Sequence, residues 1–266
     1  MKKFVLVLFA LIVVASVCTG AHAQSRLDQI TKRGVLRVGM TGDQPPFNME
    51  AKDGTLMGYE VDLAKMLAKS MDLKLETVRM PFNDLLPAIQ NGKVDMVMSG
   101  MTITMERNMK VAFIGPYVLS GKSFVTKMES LTQASQAEEL NQADLRISTL
   151  KGSTSEKFVQ MLLPKATSLP AENYDKAVAA LMSGDANVMV ADYPICALTA
   201  LKNPTANLYV LKEPMTIEPI GMALPANDPL LLNFMDNYFR SLAMAGILDK
   251  LEDYWFESGA WLPNMK

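Results

Sequence analysis

The chain of 266 residues carries 26 basic and 28 acidic side chains, a formal charge of −2. That balance excludes the basic surface a nucleic-acid partner requires, and the length admits one large domain or two of ordinary size. One histidine and two cysteines leave almost nothing for metal or thiol chemistry.

Residues 1–23 read as an export signal. Lys2 and Lys3 precede the apolar run FVLVLFALIVVASV, and Ala21-His22-Ala23 supplies the small-x-small pattern for cleavage after Ala23. Cys18 offers the rival reading of a lipoprotein anchor, but Val17 stands where such a site wants a small residue. No other run approaches the ~20 apolar residues of a membrane span, so the mature chain is expected to be soluble and exported to the periplasm. Cleavage removes Lys2 and Lys3 and leaves 24 basic against 28 acidic residues, a charge of −4. It also removes His22, the only histidine. Without it no Ser-His-Asp or Cys-His pair can form, and no metal or cofactor is expected. Cys196 is left alone in an oxidising compartment and is read as a buried, inert thiol. The 21 methionines scatter through apolar segments such as VDMVMSGM, a pattern of plastic core packing.

After the signal, segments of two periods alternate. GVLRVGM (34–40) is predicted as a strand, and YEVDLAKMLAKSM (59–71) places Val61, Leu63, Ala64, Leu67 and Ala68 on one helical face. LKLETV (73–78) alternates as a strand, FNDLLPAIQNG as a short helix stopped by Gly92, and VDMVMS as a buried strand. This β-α-β-α-β order predicts a mostly parallel sheet flanked by helices. A second unit follows: LRISTL (145–150), a helix from about Thr154, an extended stretch near Ser168, the helix YDKAVAALMSG (174–184) and the strand ANVMVAD (186–192). Between the units lies YVLSGKSFVTK and after the second comes TIEPIGMALP, placed as paired crossovers; two helical segments rich in leucine and aromatics close the chain. The fold class is therefore α/β with two lobes joined by a two-strand hinge. The first lobe takes residues 24–117 and 221–266, and the second takes 118–220 with hinge strands at both ends.

Ligands of open α/β sheets sit beyond the carboxyl ends of the strands, where Thr41, Gly100, Leu150 and Asp192 all fall. Gly100 permits a tight turn, the hydroxyl of Thr102 follows, and Arg107 comes after Thr104, a helix N-cap, and Glu106. A guanidinium in that place matches a carboxylate with two parallel donors, or it is a solvated surface charge. In KGSTSEKF (151–158), Gly152 turns the chain and Ser153, Thr154 or Ser155 opens a helix whose free N–H groups favour an anion, or simply caps it. Asp192 either caps the helix opening at Pro194 or holds an ammonium group.

In order and spacing, GVLRVGMTGDQPPF, GYEVDLAKMLA, LLPAIQNGKVDMVMSGMTITMER, KGSTSEKF and MVADYP resemble the periplasmic amino-acid-binding proteins of ABC importers, over essentially the whole mature chain. The resemblance implies a monomeric receptor of the periplasmic-binding-protein fold that closes on one L-amino acid and delivers it to an inner-membrane permease. Carried over, the family pattern gives the ligand's α-carboxylate to Arg107, Thr102 and Gly100, helped by Thr154, and the α-ammonium to Asp192. Phe82 falls where an aromatic walls the side-chain pocket, though PFNDLL would bury it in either case, and Ser99 lies beside it. Members that bind basic amino acids carry an acid where Thr41 stands and an aromatic where Gln44 stands. A polar neutral ligand is thus expected, and a basic one stays open through Asp43 or Glu218, which otherwise read as exposed turn residues.

Two other functions compete. Exported cyclohexadienyl dehydratases resemble the chain at TGD and KGSTSEKF, and their pattern needs an asparagine and a glutamate where Leu150 and Ile195 stand; neither can move a proton, so no catalytic residue is assigned. A ligand-sensing receptor for a membrane signalling protein would use the same closure.

Overall fold

The computed structural model describes residues 25–133 and 137–266; the predicted signal with Cys18 and His22 lies outside them. Helix α1 (Arg26–Arg33) opens on Ser25, whose hydroxyl accepts from Asp28 N–H, and closes on left-handed Gly34. Strand β1 (Val35–Met40) follows, then a small antiparallel sheet of β2 (Asp43–Gln44), β3 (Asn48–Glu50) and β4 (Leu56–Met57). Helix α2 (Tyr59–Ser70) buries the predicted face of Val61, Leu63, Ala64, Leu67 and Ala68. Next come β5 (Lys74–Arg79), α3 (Phe82–Gln90), β6 (Met96–Val97), α4 (Met105–Asn108) and the long β7 (Ala112–Ser120).

The second unit holds β8 (Lys122–Thr126), β9 (Arg146–Leu150), α5 (Thr154–Leu162), β10 (Thr167–Ala171), α6 (Tyr174–Ser183), β11 (Val188–Asp192), α7 (Tyr193–Lys202) and β12 (Tyr209–Val210). The chain then returns through β13 (Glu218–Leu224) to α8 (Pro229–Met244) and α9 (Ile247–Glu252). The closing segment is less regular than its sequence predicts. After α9 the backbone widens into a π-helical turn over Asp253–Glu257, which seats Trp255 against Trp261 in the core. No helix among the described residues is long and apolar enough to cross a membrane.

Two five-stranded sheets of matching design result. The first runs β5-β1-β6-β13-β7 and the second β10-β9-β11-β8-β12; in each the first three strands are parallel and the last two antiparallel. Residues 94–99, predicted as one strand, are all buried, but only Met96–Val97 forms the ladder. Asp95 turns aside to accept from Arg37 N–H and from the guanidinium groups of Arg33 and Arg37, and Ser99 turns onto Thr41 and Gln44.

The hinge is short. β7 belongs to the first sheet and β8 to the second, with Gly121 alone between them. The return strand lies alongside: Lys122 N–H donates to Thr216 Oγ1 at 2.9 Å, Met215 N–H donates to Lys122 O at 2.8 Å, and Ser120 pairs with Glu218. A Cβ on Gly121 would lie 2.2 Å from the Thr216 carbonyl oxygen, so the two crossovers approach too closely for any side chain there.

Candidate functional site

The lobes meet over a small enclosed space lined by Gln44, Phe82, Gly100, Thr102 and Arg107 from the first lobe, and by Lys122, Leu150, Thr154, Tyr174 and Asp192 from the hinge and second lobe. Seven of the eleven residues assigned to the ligand therefore converge: Gln44, Phe82, Gly100, Thr102, Arg107, Thr154 and Asp192.

Arg107 is positioned by local chain chemistry. The Thr104 hydroxyl accepts its N–H at 3.2 Å and starts α4, which turns the guanidinium inward. Nη1 donates to the Thr102 carbonyl at 2.8 Å, Nη2 reaches the Gly152 carbonyl of the second lobe at 3.3 Å, and Cζ lies 5.5 Å from the Phe82 ring centroid. Only 9% of Arg107 is exposed, so it is no solvated surface charge. Burial lowers its pKa, and Glu218 and Asp192 oppose that shift. Phe82 is buried and faces the same space, so it both packs the core and walls the site.

A neutral frame supports this wall. Gln44 Nε2 donates to Thr41 Oγ1 at 3.0 Å and to Ser99 Oγ at 3.1 Å, while Ser99 Oγ accepts Thr41 N–H at 3.0 Å. Ser99 is fully buried behind Gln44 and does not line the enclosed space. Gly100 has φ +54°, and a Cβ there would stand 2.4 Å from Gln44 Oε1. Its N–H donates to Glu60 Oε1 at 2.8 Å, and Glu60 also accepts from Asn48 Nδ2 at 2.7 Å and from the Tyr117 hydroxyl. Burial pushes the Glu60 carboxyl up to about 7 against the pull of those three donors.

The opposite wall is charged. Asp192 stands at the N-cap position of α7, yet its side chain makes no capping bond. Its Oδ1 accepts from Lys122 Nζ at 2.5 Å, and the same ammonium lies 3.4 Å from Glu218 Oε2. Burial raises the Asp192 carboxyl against the attraction of Lys122. Ser153 caps α5 by accepting Glu156 N–H at 3.2 Å, leaving Thr154 free to face the cleft. Thr154 Oγ1 lies 3.3 Å from Thr102 Oγ1 across the lobes and donates to Glu218 Oε2 at 3.1 Å.

Asp43 and Glu218 are not exposed turn residues. Glu218 is 8% exposed and held by Lys122, Thr154 and the Thr216 hydroxyl. Asp43 Oδ2 accepts Tyr174 N–H at 2.9 Å, across the cleft at the first turn of α6, and burial raises its pKa. With Thr41 it lines an adjoining opening beside Phe82 and Leu150, outside the enclosed space. Cys196 is buried and free, its thiol pushed up to about 12 by burial.

Sequence reasoning missed two residues, Lys122 and Glu60. They stand in GKSFV and YEVDL, where Lys122 and the pair Glu60 and Asp62 read as the solvated side of an otherwise apolar element. No sequence signal marked Lys122: only the sheet order shows β8 to be an inner strand buried at all five positions, which forces its lysine to find a partner inside.

The model of the bacterial extracellular solute-binding proteins, family 3, matches residues 36–258. The cyclohexadienyl dehydratase of Pseudomonas aeruginosa is 28% identical over 234 residues, 88% of this chain and 87% of that protein. Among solved structures, the ancestral amino-acid-binding protein AncCDT-1, a precursor of cyclohexadienyl dehydratase, shares 39% identity and superposes with a TM-score of 0.80 over 88% of this chain and 100% of its own. A putative ABC-transporter binding component from Wolinella succinogenes, complexed with lysine, shares 31% identity with a TM-score of 0.82 over 87% and 100% of the two chains.

Proposed function

Because the chain belongs to the bacterial extracellular solute-binding proteins of family 3, we propose that it is a periplasmic receptor, exported by a cleaved signal. It captures one L-amino acid with a polar neutral side chain and delivers it to an ABC permease. The observation that carries this reading is the convergence of Arg107 and Asp192, one from each lobe, on a single enclosed space. An α-amino acid places a carboxylate and an ammonium on neighbouring atoms, and only a ligand with both can answer a guanidinium and a carboxylate on facing walls. Arg107 and Thr102 take the carboxylate with Thr154, Asp192 takes the ammonium, and Phe82 bounds the side chain; Gly100, expected to share the carboxylate, lines the space but commits its N–H to Glu60. The lobes turn about Gly121 and the strand paired beside it, so closure buries the ligand and presents the permease with a changed surface.

In this reading the chain is not an enzyme, although a dehydratase is among its relatives. Leu150 and Ile195 are buried aliphatic residues where the dehydratase pattern needs groups that orient or donate a proton.

The test is thermal denaturation of the mature chain, refolded free of carried-over ligand, against the twenty L-amino acids with prephenate and arogenate alongside. A ligand at one hundred times its Kd adds ~2.7 kcal/mol, or roughly 5 to 11 °C for a chain of this size. A shift with one or a few amino acids is the expected result. A shift with prephenate alone, followed by turnover, would replace the receptor with an enzyme.

A further inference from the structure

We propose that Lys122 fixes the net charge of the ligand: it supplies from within the cation that a basic side chain would otherwise bring, so the site accepts a zwitterion and rejects a ligand with a second positive group. This rests on the amino-acid reading above and names the residue that narrows it.

Four charges interact here: Arg107, Lys122 and Asp192 line the enclosed space, and Glu218, which does not line it, reaches Lys122 at 3.4 Å. They sum to zero, and a zwitterionic ligand leaves that sum unchanged. Lys122 is 1% exposed and bridges both acids, so its ammonium cannot be answered by water instead. It occupies only Oδ1 of Asp192; no hydrogen bond from a described residue reaches Oδ2, which remains for the ligand's ammonium. Glu218, one of two acids able to meet a basic side chain, is already matched by Lys122 and by the hydroxyls of Thr154 and Thr216. Asp43, the other, stands outside the enclosed space, with Oδ2 on the Tyr174 N–H at the positive end of α6 and Oδ1 buried without a partner. A lysine or arginine ligand would thus bring a second cation beside Lys122, with Asp43 alone, beyond the enclosed space, left to answer it, and unpaired charge among buried groups is costly.

Calorimetric titration of the whole mature chain with the twenty L-amino acids tests this in wild type, Lys122→Met and the double variant Lys122→Met/Glu218→Gln, each checked for folding by its thermal melt. The wild type is expected to bind its best neutral amino acid at least about tenfold more tightly than L-arginine or L-lysine. Lys122→Met should move that ratio toward the basic ligands by at least about tenfold, since one buried acid is freed. The double variant, neutral again, should return to the wild-type ratio even if the single variant fails to fold. A wild type that prefers arginine or lysine overturns the proposal. So does an unchanged ratio in folded Lys122→Met, or a shift toward arginine in the double variant, because a merely structural lysine would leave selectivity where it was. Binding of no amino acid by the wild type overturns the receptor reading itself, and the proposal with it.

Discussion

The two walls of the cleft are built by opposite means. On the first lobe Arg107 is the one charged residue among the described residues lining the space, set in a neutral frame of Gln44, Gly100 and Thr102 with Thr41 and Ser99 behind it. On the hinge and second-lobe side, Lys122, Asp192 and Glu218 answer one another before any ligand arrives. A neutral frame around a single guanidinium leaves that one cation free to fix where an anion would sit. A matched charge cluster fixes how much charge a newcomer can carry, because any addition must leave the enclosed group balanced. On the reading proposed above, position would be set by one wall and selectivity by the other.

The largest expected effects test that division at its centre. Arg107→Ala and Asp192→Ala should each cost ~3 to 5 kcal/mol of ligand affinity, the loss expected when one partner of a buried ion pair is removed. Calorimetric titration measures both. Full affinity in Asp192→Ala would mean that the Lys122 pair is complete without a ligand ammonium, and the second wall would lose its binding role.

Glu60 sharpens the contrast, since it places the pH dependence in the first wall. Its carboxyl is raised from 4.5 to about 7, so between those values the folded chain binds more protons than the unfolded one. Its contribution to stability is therefore fully present below pH 4.5 and is lost as pH rises through about 7. The loss is on the order of 3 kcal/mol, from ~1.4 kcal/mol for each pKa unit. Urea denaturation of the wild type and of Glu60→Gln between pH 4.5 and 8 should show this decline in the first and its absence in the second. Equal slopes would remove Glu60 from the account.

Between the walls, Gly121→Ala forces a methyl group against the Thr216 carbonyl and Pro214. It should cost about 1 to 3 kcal/mol of stability, the usual penalty for overpacking, by the same denaturation measurement. The smallest effect belongs to the rim. Lys157 pairs with Glu106 across the mouth of the cleft, but both side chains are about half exposed or more. Lys157→Ala should change ligand affinity by less than about threefold. A larger loss would show that closure is held at the rim rather than at the two walls.

Much of the architecture was legible because periodicity is local. The helical face of Val61, Leu63, Ala64, Leu67 and Ala68, the strand VLRVGM and the alternation of the second unit follow from residues a few positions apart. The glycine turn before Thr102 and the Thr104 cap that turns Arg107 inward were legible for the same reason. The single ladder pair of VDMVMS and the π-helical turn at Asp253–Glu257 were not, since both depend on what packs against them.

By itself, then, the sequence determined two alternating α/β units, the crossovers between them, and an arginine and an aspartate at strand ends where a cleft must lie. The tertiary structure alone decided which charges meet. Lys122 and Asp192 are 70 residues apart and Glu60 and Tyr117 are 57, and no local pattern marks either pair. A charge inside a protein is defined by the groups that replace its water, and those are assembled only when the sheets and the hinge have formed.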